Sequence, residues 1–140
     1  MADATNQLRV RLVTPERILF EVLADAVELP SKSGYMEALY GHAPLMAELA
    51  AGDVTLHGGP GDSQTYNVSW GFVEVLPDRV TILASDALKP EEIDVVRAEQ
   101  QLDRGLRLWK EAGESEAAYN EALRVISEAE AKIASATAGR

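Results

Sequence analysis

Gly34-Tyr35-Met36-Glu37-Ala38-Leu39-Tyr40-Gly41-His42-Ala43-Pro44-Leu45 interrupts a half of the chain that otherwise reads as short alternating strands. Its two glycines tolerate positive φ or the close approach of another backbone, and Pro44 removes one ladder donor. His42 and Ala43 are therefore expected at a strand edge or corner that aims a few side chains outward at a fixed place. Such a corner suits docking better than a catalytic cleft.

The flanking sequence has period two. Leu8, Val10 and Leu12 alternate with Arg9 and Arg11, which predicts a half-buried strand. Thr14-Pro15-Glu16 turns, and Ile18 to Val22 gives a second strand. Ala24 to Leu29 places Val27 and Leu29 inward, with Pro30 closing the strand. Beyond the corner come Leu45 to Leu49, a turn at Ala50-Ala51-Gly52, and alternation again at Val54 and Leu56. His57-Gly58-Gly59-Pro60-Gly61-Asp62 is a loop by its glycine and proline content. Gln64 to Trp70, Phe72 to Leu76 and Arg79 to Ala84 complete the series, the last two joined by Pro77-Asp78. Roughly eight to ten short strands spaced about 8–12 residues apart predict an antiparallel sandwich or barrel, and a β-sandwich of about ten antiparallel strands is the expected form.

The chain changes character near Leu88-Lys89-Pro90, so residues 1–87 are expected to form the sandwich and 88–140 a helical hairpin. Of the ten glycines only Gly105, Gly113 and Gly139 lie beyond that point, where Ala, Glu and Arg dominate. Pro90-Glu91-Glu92 suits a helix first turn, with proline at N1 and acids at the positive end of the dipole. Val95, Ala98, Leu102, Leu106 and Trp109 recur at helical spacing. Gly113 suits the residue after a C-cap, and Ser115 can cap a second helix striped with Ala118, Ala122, Val125, Ala129 and Ile133. This alanine-rich stripe buries little apolar area, so the two-helix antiparallel hairpin is expected to be the less stable part. Gly105, mid-helix, reads as a flexible point.

Composition narrows the function classes. A net charge of −10 and a pI near 4.6 argue against nucleic acid and anionic lipid as partners. The absence of cysteine excludes thiol catalysis and cysteine-ligated metal. The start of the chain is polar rather than signal-like, and the apolar runs are far too short to span a membrane. Direct membrane insertion is therefore not expected, and any work at a membrane goes through a partner.

No catalytic constellation stands out. His42 with Ser33 and Glu37 could be drawn as a hydrolytic or ligand-binding set, but a histidine hydrogen-bonded at a strand corner or partner surface is the plainer reading. Glu74, between Phe72-Val73 and Val75-Leu76, suits a solvated sheet face or edge ion pair. His57-Gly58-Gly59-Pro60-Gly61 lacks the lysine and following helix of a phosphate loop. The two histidines, His42 and His57, share no metal-ligand spacing with acidic residues, so no metal site is expected. Asp94 and Arg97 stand three apart on the first helix, with Arg104 two turns beyond Arg97. They read either as a local ion pair or as a clamp in which two arginines face phosphates.

Taken together, several of these segments resemble one family in order and spacing. Val13-Thr14-Pro15-Glu16, Gly34 to Leu45 with Gly41-His42-Ala43-Pro44-Leu45, and Leu49 followed by Gly52 come first. Gly71-Phe72-Val73-Glu74-Val75, Val80-Thr81-Ile82-Leu83-Ala84 and Ile93-Asp94-Val95-Val96-Arg97-Ala98 follow. Over about residues 7 to 105 the chain is similar to the epsilon subunit of bacterial and chloroplast F-type ATP synthases, the counterpart of the mitochondrial delta subunit.

The resemblance implies a non-enzymatic rotor subunit with no required cofactor. Its sandwich packs on the gamma subunit and stands on the c-ring, linking the ring to the alpha and beta subunits of the catalytic head. Carried over by position, Ser33, Gly34, Gly41, His42 and Pro44 are the docking residues, and the chain lies on the cytoplasmic face of the bacterial plasma membrane as part of the complex. In the family the hairpin either lies folded or extends along gamma and hinders ATP hydrolysis. The resemblance also implies ATP as a weak regulatory ligand, with Ile93, Asp94, Arg97, Ala98 and Arg104 as its contacts.

Departures bear on the finer points. Leu88 stands where ATP-binding members carry glutamate, and Val125 and Ala129 stand where they carry arginines. Glu37 and Tyr40 replace the usual glycine and proline of the docking loop. In the second helix Arg124, Lys132 and Arg140 face Glu116, Glu121, Glu128 and Glu130, a balance that gives little attraction to acidic segments. A purely structural hairpin is the alternative within the family. A free-standing ligand-binding or enzymatic sandwich using His42 and Glu37 is the alternative outside it.

Overall fold

The computed structural model describes residues 6–59 and 64–138 and divides into two compact units, one running to Leu88 and the other starting at Lys89. The described residues of the first unit form eight strands: β1 (Leu8–Val13), β2 (Ile18–Ala24), β3 (Ala26–Ser31), β4 (Gly34–Leu39), β5 (Leu45–Leu49), β6 (Gly52–His57), β7 (Gln64–Leu76) and β8 (Arg79–Leu88). The loop expected from His57 onward falls outside the described residues from position 60 to 63, as does Arg140.

The strands run in the order β2-β1-β8-β7-β5-β3-β4, with β6 paired to both β3 and β7. β7 is the hinge of this arrangement. Its first part pairs with β6 (Gly52↔Val68 to Leu56↔Gln64), and its second part pairs with β5 (Leu49↔Gly71 to Leu45↔Val75). The change of partner falls at Trp70-Gly71, where φ is 53° and 144°. One continuous strand thus serves both layers of the sandwich. This accounts for eight strands rather than ten: ladder bonds to β8 continue on both sides of the bend, from Asn67↔Leu88 to Leu76↔Arg79.

The sandwich is also not wholly antiparallel. β1 and β8 run parallel, from Arg9↔Arg79 to Val13↔Leu83. Alternation reports which face a residue occupies but not strand direction, and partners so distant in sequence carry no hairpin signal.

The core lies between the layers and is made by the inward alternate positions. Leu8, Val10 and Leu12 of β1, Val27 and Leu29 of β3, Leu49, Val54, Leu56, Val68, Val73, Val75, Val80 and Ile82 are each at most 1% exposed. Each such side chain contributes roughly 1.5–3 kcal/mol relative to exposure. Pro30, expected to close β3, sits within it opposite Tyr35.

The second unit opens with a 3₁₀ turn at Pro90–Glu92, followed by α1 (Val95–Glu111) and α2 (Glu116–Thr137). Helix α1 starts later than Pro90 suggested. Ile93 is extended, and the Asp94 carboxylate accepts a hydrogen bond from the Arg97 backbone N–H at 3.1 Å, which makes Asp94 the N-cap. Gly113 has φ 58° beyond the Ala112 C-cap, and Ser115 caps α2 by accepting from the Ala118 N–H at 3.2 Å. Ala98, Gly105, Ala112, Ala122, Val125 and Ala129 are buried, and Gln101 donates to Glu128 across the helix pair at 2.6 Å.

Candidate functional site

The outward face of β5, β7, β8, β1 and β2 departs from simple alternation. Ala47, Val73, Ile82 and Leu12 share one ladder row and face the core. The next row, on the opposite face, runs Glu48↔Phe72↔Leu83↔Val13↔Ile18 across five strands. Phe72, Leu83 and Ile18 in that row are 52%, 50% and 53% exposed, so half of each ring or branched chain is left in water. Below them runs a charged row, Met46↔Glu74↔Thr81↔Arg11↔Glu21, in which Glu21 pairs with Arg11 at 3.5 Å and with Arg9 at 3.6 Å. Glu74 thus lies on the solvated side of the sheet. An exposed apolar stripe rimmed by charge has the composition of a protein-docking surface.

Sequence reasoning missed this stripe. Its signal is the doubled apolar positions Phe72-Val73, Ile82-Leu83 and Leu12-Val13, of which one member always faces the core and the other must face outward.

The stretch Gly34 to Leu45 is not a single corner. Gly34 to Leu39 forms the edge strand β4, and the two groups of docking candidates sit in turns at its opposite ends, about 20 Å apart by strand rise. At one end Ser33 and Gly34 close the β3–β4 turn, where Ser31 Oγ donates to the Gly34 carbonyl at 2.6 Å and accepts from the Ser33 N–H at 3.2 Å. At the other end the Gly41 N–H donates to the Pro77 carbonyl at 2.7 Å, tying the His42 turn to the β7–β8 turn. His42 is partly buried, its Nδ1 lies 2.7 Å from the Ala43 carbonyl oxygen, and Pro44 is exposed just before β5.

No hydrogen bond or ion pair among the described residues joins His42 to Ser33 or Glu37. Ser33 and His42 are held apart by the length of β4, which removes the hydrolytic set drawn from them. Strand pairing instead gathers Glu37 with Glu28 and His57, three residues from separate strands that sequence spacing does not connect.

In the second unit, Ile93 and Ala98 are buried, while Asp94, Arg97 and Arg104 are exposed. Asp94 meets Arg97 through the backbone N–H, and no ion pair between their side chains forms among the described residues. Seven residues separate Arg97 from Arg104, about 10 Å along α1 on one face. The structure therefore places the Asp94 carboxylate and Arg97 at the start of α1 and Arg104 about two turns further along it, with Ile93 and Ala98 buried.

Comparison with known proteins bears on the whole chain. The family model for the ATP synthase delta/epsilon chain β-sandwich domain matches residues 7–90. An ATP synthase epsilon chain from Koribacter versatilis is 41% identical over 115 residues, covering 81% of this chain and 77% of that protein. One from Solibacter usitatus is 40% identical over 133 residues, covering 94% of this chain and 96% of that protein. Among solved structures, a chain of the Euglena gracilis mitochondrial ATP synthase aligns with a TM-score of 0.76 at 21% identity, over 92% of this chain and 81% of that one. A chain of the Tetrahymena thermophila mitochondrial ATP synthase central stalk and c-ring aligns at 0.66 and 16% identity, over 93% and 96%. At those identities the structural likeness speaks for the fold, while the sequence matches speak for descent. The chain belongs to the ATP synthase delta/epsilon chain family.

Proposed function

We propose that this chain is a non-catalytic rotor subunit of an F-type ATP synthase, coupling the c-ring to the gamma subunit beneath the alpha and beta subunits of the catalytic head. The observation that carries this reading is the row Phe72–Leu83–Val13–Ile18, an apolar surface on a stiff sandwich, in a chain of that family. Gamma covers this row, and the turns around Ser33-Gly34 and Gly41-His42 at the ends of β4 meet the polar loops of the ring and the base of gamma. A sheet bonded along its whole length resists shear, which is what a torque-bearing part needs. As part of the membrane-bound complex, the subunit sits on the cytoplasmic face of a bacterial plasma membrane, in keeping with its bacterial relatives.

The helical unit is the regulatory arm in this reading, with ATP as a weak ligand at Asp94, Arg97 and Arg104 over Ile93 and Ala98. A second reading, in which the hairpin is structural only, is favoured by the charge of α2. Its described residues set Glu116, Glu121, Glu128 and Glu130 against Arg124 and Lys132, which gives it little attraction to an acidic catalytic-head segment.

The test is ATP hydrolysis by a catalytic head lacking this subunit, with the whole chain or a chain ending at Leu88 added back while binding is followed. Binding of both with slower hydrolysis only for the whole chain supports the regulatory arm. Equal rates support the structural hairpin, and failure of both to bind overturns the rotor assignment.

A further inference from the structure

β3 lies between β4 and β6, and its outward residue Glu28 faces Glu37 on one side and Thr55 on the other. His57, two residues further along β6 and opposite Ala26, turns its ring back over this row. Its Nε2 lies 2.7 Å from Glu28 Oε1. One ligand atom from each of Glu28, Glu37 and His57 falls within 4.8 Å of the others.

Two carboxylates directly opposite on neighbouring strands repel each other, and such a pairing lowers sheet stability unless a cation lies between them. Among the described residues no lysine or arginine pairs with either glutamate: Lys32 pairs with Glu48, and Arg9 and Arg11 pair with Glu21. The His57 ring meets the pair on the Glu28 side.

One imidazole and two carboxylates on three bonded strands form the donor set of a borderline divalent cation. A zinc ion takes nitrogen and oxygen ligands at about 2.0–2.2 Å and leaves its fourth position to water in an open site. Ligand atoms on one tetrahedral zinc lie about 3.4 Å apart by that geometry, so Glu28 and His57 are already close enough. Glu37 is exposed on the edge strand, and its ligand atom lies within 4.8 Å of the other two.

We infer that Glu28, Glu37 and His57 form a zinc-class cation site on the outer face of the β4-β3-β6 layer. On binding, His57 gives up its hydrogen bond to Glu28 and ligates through Nε2 as neutral imidazole, its ring proton on Nδ1, while both carboxylates ligate as anions. The ladder of β4 pairs with β3, and the Asp53 N–H of β6 donates to Tyr35 Oη of β4 at 2.9 Å; the ion adds a second tie from β4 across to β6. Since β4 carries both terminal turns, the site stiffens the edge from which Ser33 and His42 project. This inference does not depend on the rotor assignment.

The full chain is titrated with zinc chloride by calorimetry in a non-chelating buffer, alongside His57→Ala, Glu37→Gln and His42→Ala. One zinc per chain is expected, with affinity lowered at least about tenfold by His57→Ala and by Glu37→Gln and unchanged by His42→Ala. Amide exchange in β4 should slow on adding zinc to the unmodified chain, a readout free of any folding defect in a variant. Absence of a stoichiometric site, loss of affinity with His42→Ala, or binding indifferent to His57→Ala overturns the proposal.

Discussion

A Cβ built on Gly71 would lie 1.8 Å from the Leu83 carbonyl oxygen, well inside contact distance with a backbone atom of the neighbouring strand. This close approach is where β7 leaves β6 and joins β5, so the joining of the two layers depends on a missing side chain.

Gly71→Ala therefore forces β7 and β8 apart and also places alanine at φ 144°. The expected loss is at least ~3 kcal/mol of sandwich stability, from overpacking and strain together. Gly34→Ala is the matched control. It too has positive φ (122°) but meets open space, so only the conformational cost of about 1–2 kcal/mol remains. Urea unfolding of both variants measures the difference, and similar losses would show that the Leu83 contact is not the cause.

Phe72→Glu and Leu83→Glu test the docking row. These side chains are half exposed, so fold stability should change by no more than about 0.5 kcal/mol. Binding to the gamma subunit should weaken roughly tenfold or more for each, as for central interface residues. Thr81→Glu, one row away, should have less effect. Equal weakening by all three, measured by surface binding, would point to general charge repulsion instead of a specific stripe.

Gly105 packs against α2. A Cβ there would lie 2.8 Å from Ile126 Cγ1, 3.1 Å from Val125 Cγ1 and 3.2 Å from the Ile126 backbone nitrogen. Read from sequence it is a flexible point; in the fold it is a tight contact between the two helices. Gly105→Ala gains up to about 1 kcal/mol in helix propensity but loses roughly 1–3 kcal/mol to overpacking. A net loss is expected, seen as faster amide exchange in residues 95–137 with the sandwich unchanged. Protection above that of the unmodified chain would restore the reading of Gly105 as a flexible point.

The same contrast shows what the sequence can carry. Period-two patterning identifies Leu8, Val10 and Leu12 as inward because burial is a one-residue property. It does not reveal that β1 lies parallel to β8, nor that Phe72, Leu83 and Val13 line up, since both depend on register between distant strands. Glu28, Glu37 and His57 stayed hidden for that reason, being 29 residues apart at the His57–Glu28 contact. The Asp94 cap was within reach, because Asp followed three residues later by a helical residue is a local signal, but Pro90-Glu91-Glu92 offered a competing start.

Asp94 finally separates capping from ligand binding. Its carboxylate receives the Arg97 N–H at 3.1 Å, so Asp94→Ala should cost the helical unit about 1 kcal/mol whatever it binds. Asp94→Ser retains a capping oxygen and should restore most of that stability. If ATP uses the two arginines, Arg97→Ala and Arg104→Ala abolish the rise in melting temperature that ATP produces, while Asp94→Ser keeps it. If ATP needs the Asp94 carboxylate itself, Asp94→Ser loses the rise even though the helix is capped. A chain whose melting temperature is unmoved by millimolar ATP leaves Arg97 and Arg104 as solvated charges and makes the capping role of Asp94 its whole role.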